Sequence, residues 1–194
     1  MWIALCAVAA LAGCGASSKA QRPATGFAGG TLRPARAAPP IALRDQFGRR
    51  TTLAQFRGKA VLVTFLYTHC PDVCPLIVGH LRAAQYALGA QARRLQILAV
   101  SVDPKGDTPH AVRRFLRAQD MTSHMRWLTG TRAQLERTWK AWGVGVVRDP
   151  TNPELVEHSA PMFGISATGK RLTIYPTSFT RAQIAHDVPL LARR

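Results

Sequence analysis

The run Ala60 to Leu66, AVLVTFL, leads almost directly into Thr68-His69-Cys70-Pro71-Asp72-Val73-Cys74-Pro75. This junction constrains the fold more than any other feature of the chain. Seven consecutive apolar or β-branched residues, with no polar alternation, predict a strand buried on both faces. A helical stretch follows the cysteines to about Ala92, with Leu76, Ile77, Leu81 and Leu88 as expected core contacts. The two cysteines therefore sit where a central strand ends and a helix begins. Sites in α/β sheets collect at the carboxyl ends of strands. A helix N-terminus also stabilises a thiolate through its unpaired N–H groups and dipole.

The remaining pattern is of the same kind. Leu95 to Val102, LQILAVSV, reads as a second buried strand. Asp107-Thr108-Pro109 opens a helix with a capping residue and an early proline. Arg126 to Leu128 is a short strand, and Thr131 to Trp142 a helix with Leu135, Trp139 and Trp142 on one face. Met162 to Ile165 and Arg171 to Tyr175 form an antiparallel pair around Thr168-Gly169, and Thr180 to Leu191 closes the chain as a helix. Near the start, Ile41-Ala42-Leu43 and Thr51-Thr52-Leu53 flank Asp45-Gln46-Phe47-Gly48 as a hairpin. The expected fold class is α/β: a central mixed sheet flanked by helices, with an N-terminal hairpin.

Three residues separate Cys70 from Cys74. If both lie in the first helical turn, i and i+4 positions bring their Cβ atoms to about 5–6 Å. A disulfide needs about 3.5–4.5 Å, so a small adjustment closes one, and the same spacing lets two thiolates share a metal ion. The pair supports either a redox disulfide or a metal. Two thiolates and an imidazole make a trigonal soft-donor set that suits copper, whereas tetrahedral zinc needs a fourth ligand. Of the six histidines, His158 stands out. It lies in Val156-Glu157-His158-Ser159-Ala160-Pro161, ahead of the Met162 strand. His69 adjoins Cys70, but its side chain is expected to point elsewhere.

These segments resemble the Sco/SenC copper-chaperone family of the thioredoxin superfamily. The matching residues are Gly58-Lys59 leading into the Ala60 strand, the Thr68 to Pro75 segment, Ser101-Val102-Asp103-Pro104 with Asp107-Thr108-Pro109, and Glu157-His158-Ser159. The resemblance covers Ile41 to about Leu191. It implies a thioredoxin-like fold with copper, as Cu(I) or Cu(II), bound by Cys70, Cys74 and His158. It also implies delivery of copper to the CuA site of cytochrome c oxidase subunit II, or reduction of that site's cysteines. A thiol–disulfide reductase that carries no metal is the alternative. The family usually has Asp before the histidine; Glu157 keeps an acidic oxygen for a hydrogen bond to the imidazole. Pro161 is read as a cis-proline of the kind found in thioredoxins.

The other two cysteines, Cys6 and Cys14, lie in an N-terminal segment of different character. Trp2 to Ala12 is uncharged and apolar, too short to span a bilayer comfortably. Leu11-Ala12-Gly13-Cys14 resembles a bacterial lipobox, which implies acylation of Cys14 and a membrane-anchored domain outside the cytoplasm. Residues 1–14 are thus expected to be a signal peptide with lipobox, 15–40 a flexible tether rich in Ala, Gly, Pro and Arg, and 41–194 the folded domain. The net charge is +16, from 26 Lys and Arg against 10 Asp and Glu. The basic residues form only doublets, with no recognition module or stacking motif, which argues against nucleic acid as a partner.

Overall fold

A computed structural model describes residues 26–152 and 155–194. The expectations for Cys6, Cys14 and the lipobox lie outside the described residues. Strands β4 (Ala60–Leu66) and β5 (Leu95–Ser101) form the centre of a six-stranded sheet. All seven β4 residues are buried, as their uninterrupted apolar pattern requires. β5 pairs in parallel with β4, and β6 (Met125–Leu128) in parallel with β5. On the other side of β4, β9 (Met162–Ile165) runs antiparallel, followed by β10 (Lys170–Tyr175). The sheet is mixed, as expected.

The helices are α1 (Val73–Leu88), α2 (Pro109–Ala118), α3 (Arg132–Trp142) and α4 (Arg181–Leu191). Thr108, Thr131 and Thr180 cap the last three: each side chain accepts an amide hydrogen bond from the first turn. The hairpin of β2 (Ala42–Arg44) and β3 (Arg50–Thr52) packs Leu43 into the core and turns through Gly48 at φ 79°. Leu135, Trp139 and Trp142 are buried together, as their spacing predicts.

Three expectations need correction, and a fourth feature was not expected. Residues Gly30–Ala37, assigned to the tether, form strand β1, antiparallel to β10 at the sheet edge. Its side chains are almost all exposed, so no apolar alternation marks it. Backbone pairing holds it, together with the buried Asp187 carboxylate, which accepts from the Ala28 and Gly29 amides at 2.7 and 2.9 Å. Gly29 packs against the Tyr175 ring so closely that a Cβ there would collide with it. Second, Leu76 is 55 % exposed, because Ile77, Leu81 and Leu88 define the core-facing side of α1. Third, the Ala160–Pro161 bond is trans; the cis bond among the described residues is Arg33–Pro34. Trans is the lower-energy default, and the chain passes from His158 to Met162 without a tight turn. Fourth, a hairpin with no sequence signal, β7 (Val146–Arg148) and β8 (Val156–His158), stands outside the main sheet.

Candidate metal centre

β4 ends at Leu66, and Tyr67 to Asp72 cross to the start of α1. Cys74 is in the first turn of α1, but Cys70 precedes the helix, whose N-cap is Asp72. The two cysteines are therefore not an i, i+4 pair of one helix, because Pro71 and Asp72 delay the first turn. They meet all the same. The Cys74 amide donates to Cys70 Sγ at 3.3 Å, and both thiols are free. Cys74 is fully buried while Cys70 faces the surface in part.

This geometry separates the two thiols chemically. The Cys74 thiol bonds to the Cys70 sulfur and, with backbone amides and the Tyr67 hydroxyl, holds Cys70 at a pKa of about 5 against the drag of burial. The same bond, together with burial, pushes Cys74 far up. At neutral pH Cys70 is a thiolate and Cys74 its hydrogen-bonded thiol.

His158 reaches the same place from the end of β8. Tyr67, Cys70, Cys74, Ile77, Val156 and His158 line one cleft of about 390 Å³. The Tyr67 ring meets the His158 ring edge-on, centroids 5.9 Å apart. Burial lowers the His158 pKa and keeps the imidazole neutral. Its Nδ1 lies 3.1 Å from the Ser159 carbonyl and donates to it, which leaves Nε2 with a free lone pair. Glu157, the expected partner, lines the same cleft but does not take this bond, because the adjacent Ser159 carbonyl already holds Nδ1.

The residues fit a soft metal in kind: one thiolate, one thiol that a metal would deprotonate, and a neutral imidazole with its other nitrogen already bonded. The three donors nonetheless stand apart. Among the described residues, no three His, Cys, Asp or Glu side chains stand close enough to hold an ion as they are. Tyr67 touches both halves of the set, its hydroxyl bonded to the Cys70 sulfur and its ring against His158.

Two residues of the site went unread in the sequence. Tyr67 places a hydroxyl beside the Cys70 sulfur and a ring beside His158. Its position at the tip of a buried strand, one residue before the motif, was the available signal. Asp107 is the other. Its buried carboxylate accepts from the Thr68 amide at 2.8 Å, the Ser101 hydroxyl at 2.6 Å and the Trp127 indole at 3.1 Å. It bolts the start of the cysteine loop to β5 and β6, and burial raises its pKa to about 6. His69, as expected, turns away, with Nδ1 against its neighbour Thr68 at 3.3 Å.

A family model described as SCO1/SenC matches residues 30–193. The chain belongs to the SCO1/SenC family. The mitochondrial SCO2 homolog of Bos taurus is 31 % identical over 159 residues, covering 79 % of this chain and 58 % of that protein. This SCO1/SenC chain thus spans little more than half the length of that relative. The solved structure of Bradyrhizobium japonicum ScoI with copper bound is 28 % identical with a TM-score of 0.72, covering 80 % of this chain and 99 % of that one. A Bacillus anthracis structure, described as a SCO1/SenC family lipoprotein, is 25 % identical with a TM-score of 0.71, covering 83 % and 99 %. These solved Sco relatives confirm the expected fold class. Among the described residues, no helix is long and apolar enough to cross a membrane.

Proposed function

We propose that this SCO1/SenC chain takes copper as its cargo through Cys70, Cys74 and His158. In this reading it is a metallochaperone for the CuA centre of cytochrome c oxidase, acting on subunit II or its assembly factors. The observation that carries the reading is the single cleft holding a Cys70 thiolate, the Cys74 thiol and a neutral His158. Copper bound to the B. japonicum relative supports it. The chain's own residues do three things. Tyr67 and the Cys74 thiol keep Cys70 ionised for capture. The Ser159 carbonyl aims Nε2 of His158 by holding Nδ1. Asp107 fixes the loop on which Cys70 stands.

Thiol–disulfide exchange is the second reading. One observation favours it: an ionised, accessible Cys70 beside a buried Cys74 is the pairing of an attacking and a resolving thiol. That chemistry has no use for His158, and this is why the copper reading ranks first. Copper loading of the full chain, followed by metal analysis, separates the two. The expected result is one copper per chain in wild type and none in Cys70→Ser. A wild-type protein that retains no copper while reducing target cysteines reverses the ranking.

Anchoring through acylated Cys14, with the domain on the outer face of the membrane, belongs to the same proposal. The lipobox-like segment and the B. anthracis lipoprotein relative support it. Palmitate labelling that survives Cys14→Ser would refute it.

A further inference from the structure

The fold gathers part of its positive charge at the sheet end where β4 and β5 begin. Six exposed cations meet there: Arg36, Arg57, Lys59, Arg93, Lys170 and Arg193. Backbone pairing fixes their positions. Arg36 is in register with Arg171, and Ala37 with Lys170. The Gly58 amide donates to the Ala167 carbonyl, and Arg57 lies so close over the turn that a Cβ on Gly169 would collide with its guanidinium. Ala60 is in register with Leu95, so Lys59 and Arg93 approach adjacent strands from the same end. Arg94 crosses to the Ala192 carbonyl at 2.8 Å, beside Arg193. Among the described residues, none of the six forms an ion pair. Like charges crowded at one end repel, and no acidic side chain pairs with them to offset this.

The course of the chain indicates what covers this end. Phe27 lies under the Arg194 guanidinium, 4.8 Å from ring centroid to Cζ, and the Arg194 carbonyl accepts from Thr168 in the same region. Phe27 is thereby tied to the C-terminal arginine, while β1 itself starts at the far end of β10, Gly30 opposite Ile174, and reaches the cationic end at Arg36 and Ala37. From Phe27 back to Cys14 it can span at most about 45 Å, and beyond lies the apolar run Trp2 to Ala12. A short leash to an apolar or lipidated segment keeps a bilayer, rather than a free acidic protein, within reach of these cations. A lipid chain plus a polybasic patch is also the two-signal arrangement that makes membrane attachment stable.

We propose that the Arg36–Arg57–Lys59–Arg93–Lys170–Arg193 end docks on the phosphate headgroups of an anionic lipid bilayer. The thiol cleft lies at the opposite end of β4, about 20 Å away. Docked in this way, the domain turns its cleft away from the membrane. The separation exceeds two Debye lengths of about 8 Å, so the inference does not depend on the copper reading.

The test uses residues 26–194. The whole buried core lies between Ile41 and Ala192, and the B. japonicum structure is matched over 99 % of its chain by 80 % of this one, so this piece carries the complete domain. It lacks Cys14 and the apolar run, so binding reports on the cationic end alone. It should sediment with vesicles containing phosphatidylglycerol, not with pure phosphatidylcholine, and release as salt rises. Each cation contributes about fivefold to partitioning. Arg193→Gln should therefore weaken binding about fivefold, and the Arg36→Glu, Arg93→Glu, Arg193→Glu triple by about a hundredfold or more. The triple Lys105→Glu, Arg114→Glu, Arg137→Glu makes the same charge change elsewhere and should cost far less. Equal losses in both triples, or equal binding to neutral and anionic vesicles, overturn the proposal. So does retention on polyglutamate without vesicle binding, which would mark an acidic protein surface as the partner. If the charge-reversal triple fails to fold, Arg193→Gln still decides: unchanged vesicle binding overturns the proposal.

Discussion

Cys74 stands on a helix packed against a strand whose seven residues are all buried, and the loop before it is tied down by Asp107. His158 stands on a hairpin of two three-residue strands that pair with each other and leave Val147 62 % exposed. Among the described residues, its links to the body include buried Val156, half-buried Val146 against the core, the Tyr67 contact, and the Arg148–Asp103 ion pair at 2.6 Å. The three proposed donors thus belong to two regions that differ in packing. In the proposed copper reading, the body of the domain places the thiols and the hairpin places the imidazole. A low-stability element is where a binding protein places the part that opens. The difference teaches that separate parts of the fold hold the proposed donors: the strand-to-helix junction holds the thiols and a hairpin outside the main sheet holds the imidazole.

The comparison can be broken most severely at Asp107. Asp107→Ala strands the Thr68 amide, the Ser101 hydroxyl and the Trp127 indole in a dry interior. An unsatisfied buried group costs about 1–3 kcal/mol, so a loss of about 3 kcal/mol or more in denaturant unfolding is expected. A loss below about 1 kcal/mol would mean that the thiol loop does not depend on this bolt.

The thiols themselves come next. In reduced, metal-free protein, the first alkylation should fall on Cys70 over Cys74 by on the order of a hundredfold at neutral pH, because only the thiolate reacts. Since Cys70 is deprotonated above about pH 5, its rate should be flat through neutrality and fall as the pH drops through that value. Mass spectrometry of peptides after short iodoacetamide pulses reads both. A Cys70 rate still climbing into the alkaline range would remove the pre-set thiolate.

His158→Ala tests the hairpin half. Even residues that only orient a ligand are worth about 10–100-fold in metal affinity, so Cu(II) binding should weaken at least that much. Cu(I) should suffer less, because it accepts two thiolates alone. The Cys70–Cys74 disulfide, which needs no imidazole, should form at an unchanged potential. Paired Cu(I) and Cu(II) titrations beside the potential decide it; unchanged Cu(II) affinity would exclude His158 as a ligand.

The smallest effect should come from the exposed side of the hairpin. Val147→Ser touches no core contact and should alter stability by less than about 0.5 kcal/mol. A larger loss would show the hairpin to be part of the rigid body after all. Native-state hydrogen exchange of β7 and β8 amides against those of β4 and β5 provides the parallel reading, with faster opening expected in the hairpin.

Ala60–Leu66 and Leu95–Ser101 were legible as central strands because burial on both faces leaves an uninterrupted apolar record. A capping residue with an early proline announced α2, the apolar face of Leu135, Trp139 and Trp142 announced α3, and a glycine turn announced the first hairpin, since these are local requirements. The sequence alone also nominated Cys70, Cys74 and His158, through donor chemistry and a family motif. What it could not hold was anything settled by distant backbone. β1 is an exposed edge held by hydrogen bonds to β10, and β7 and β8 stabilise each other across a loop, so neither carries a hydrophobic period. The unequal thiols, the Tyr67 and Asp107 contacts and the shared cleft were decided by tertiary structure. Hydrogen bonds and burial depend on which groups end up facing each other, and that is a property of the packed chain rather than of spacing along it.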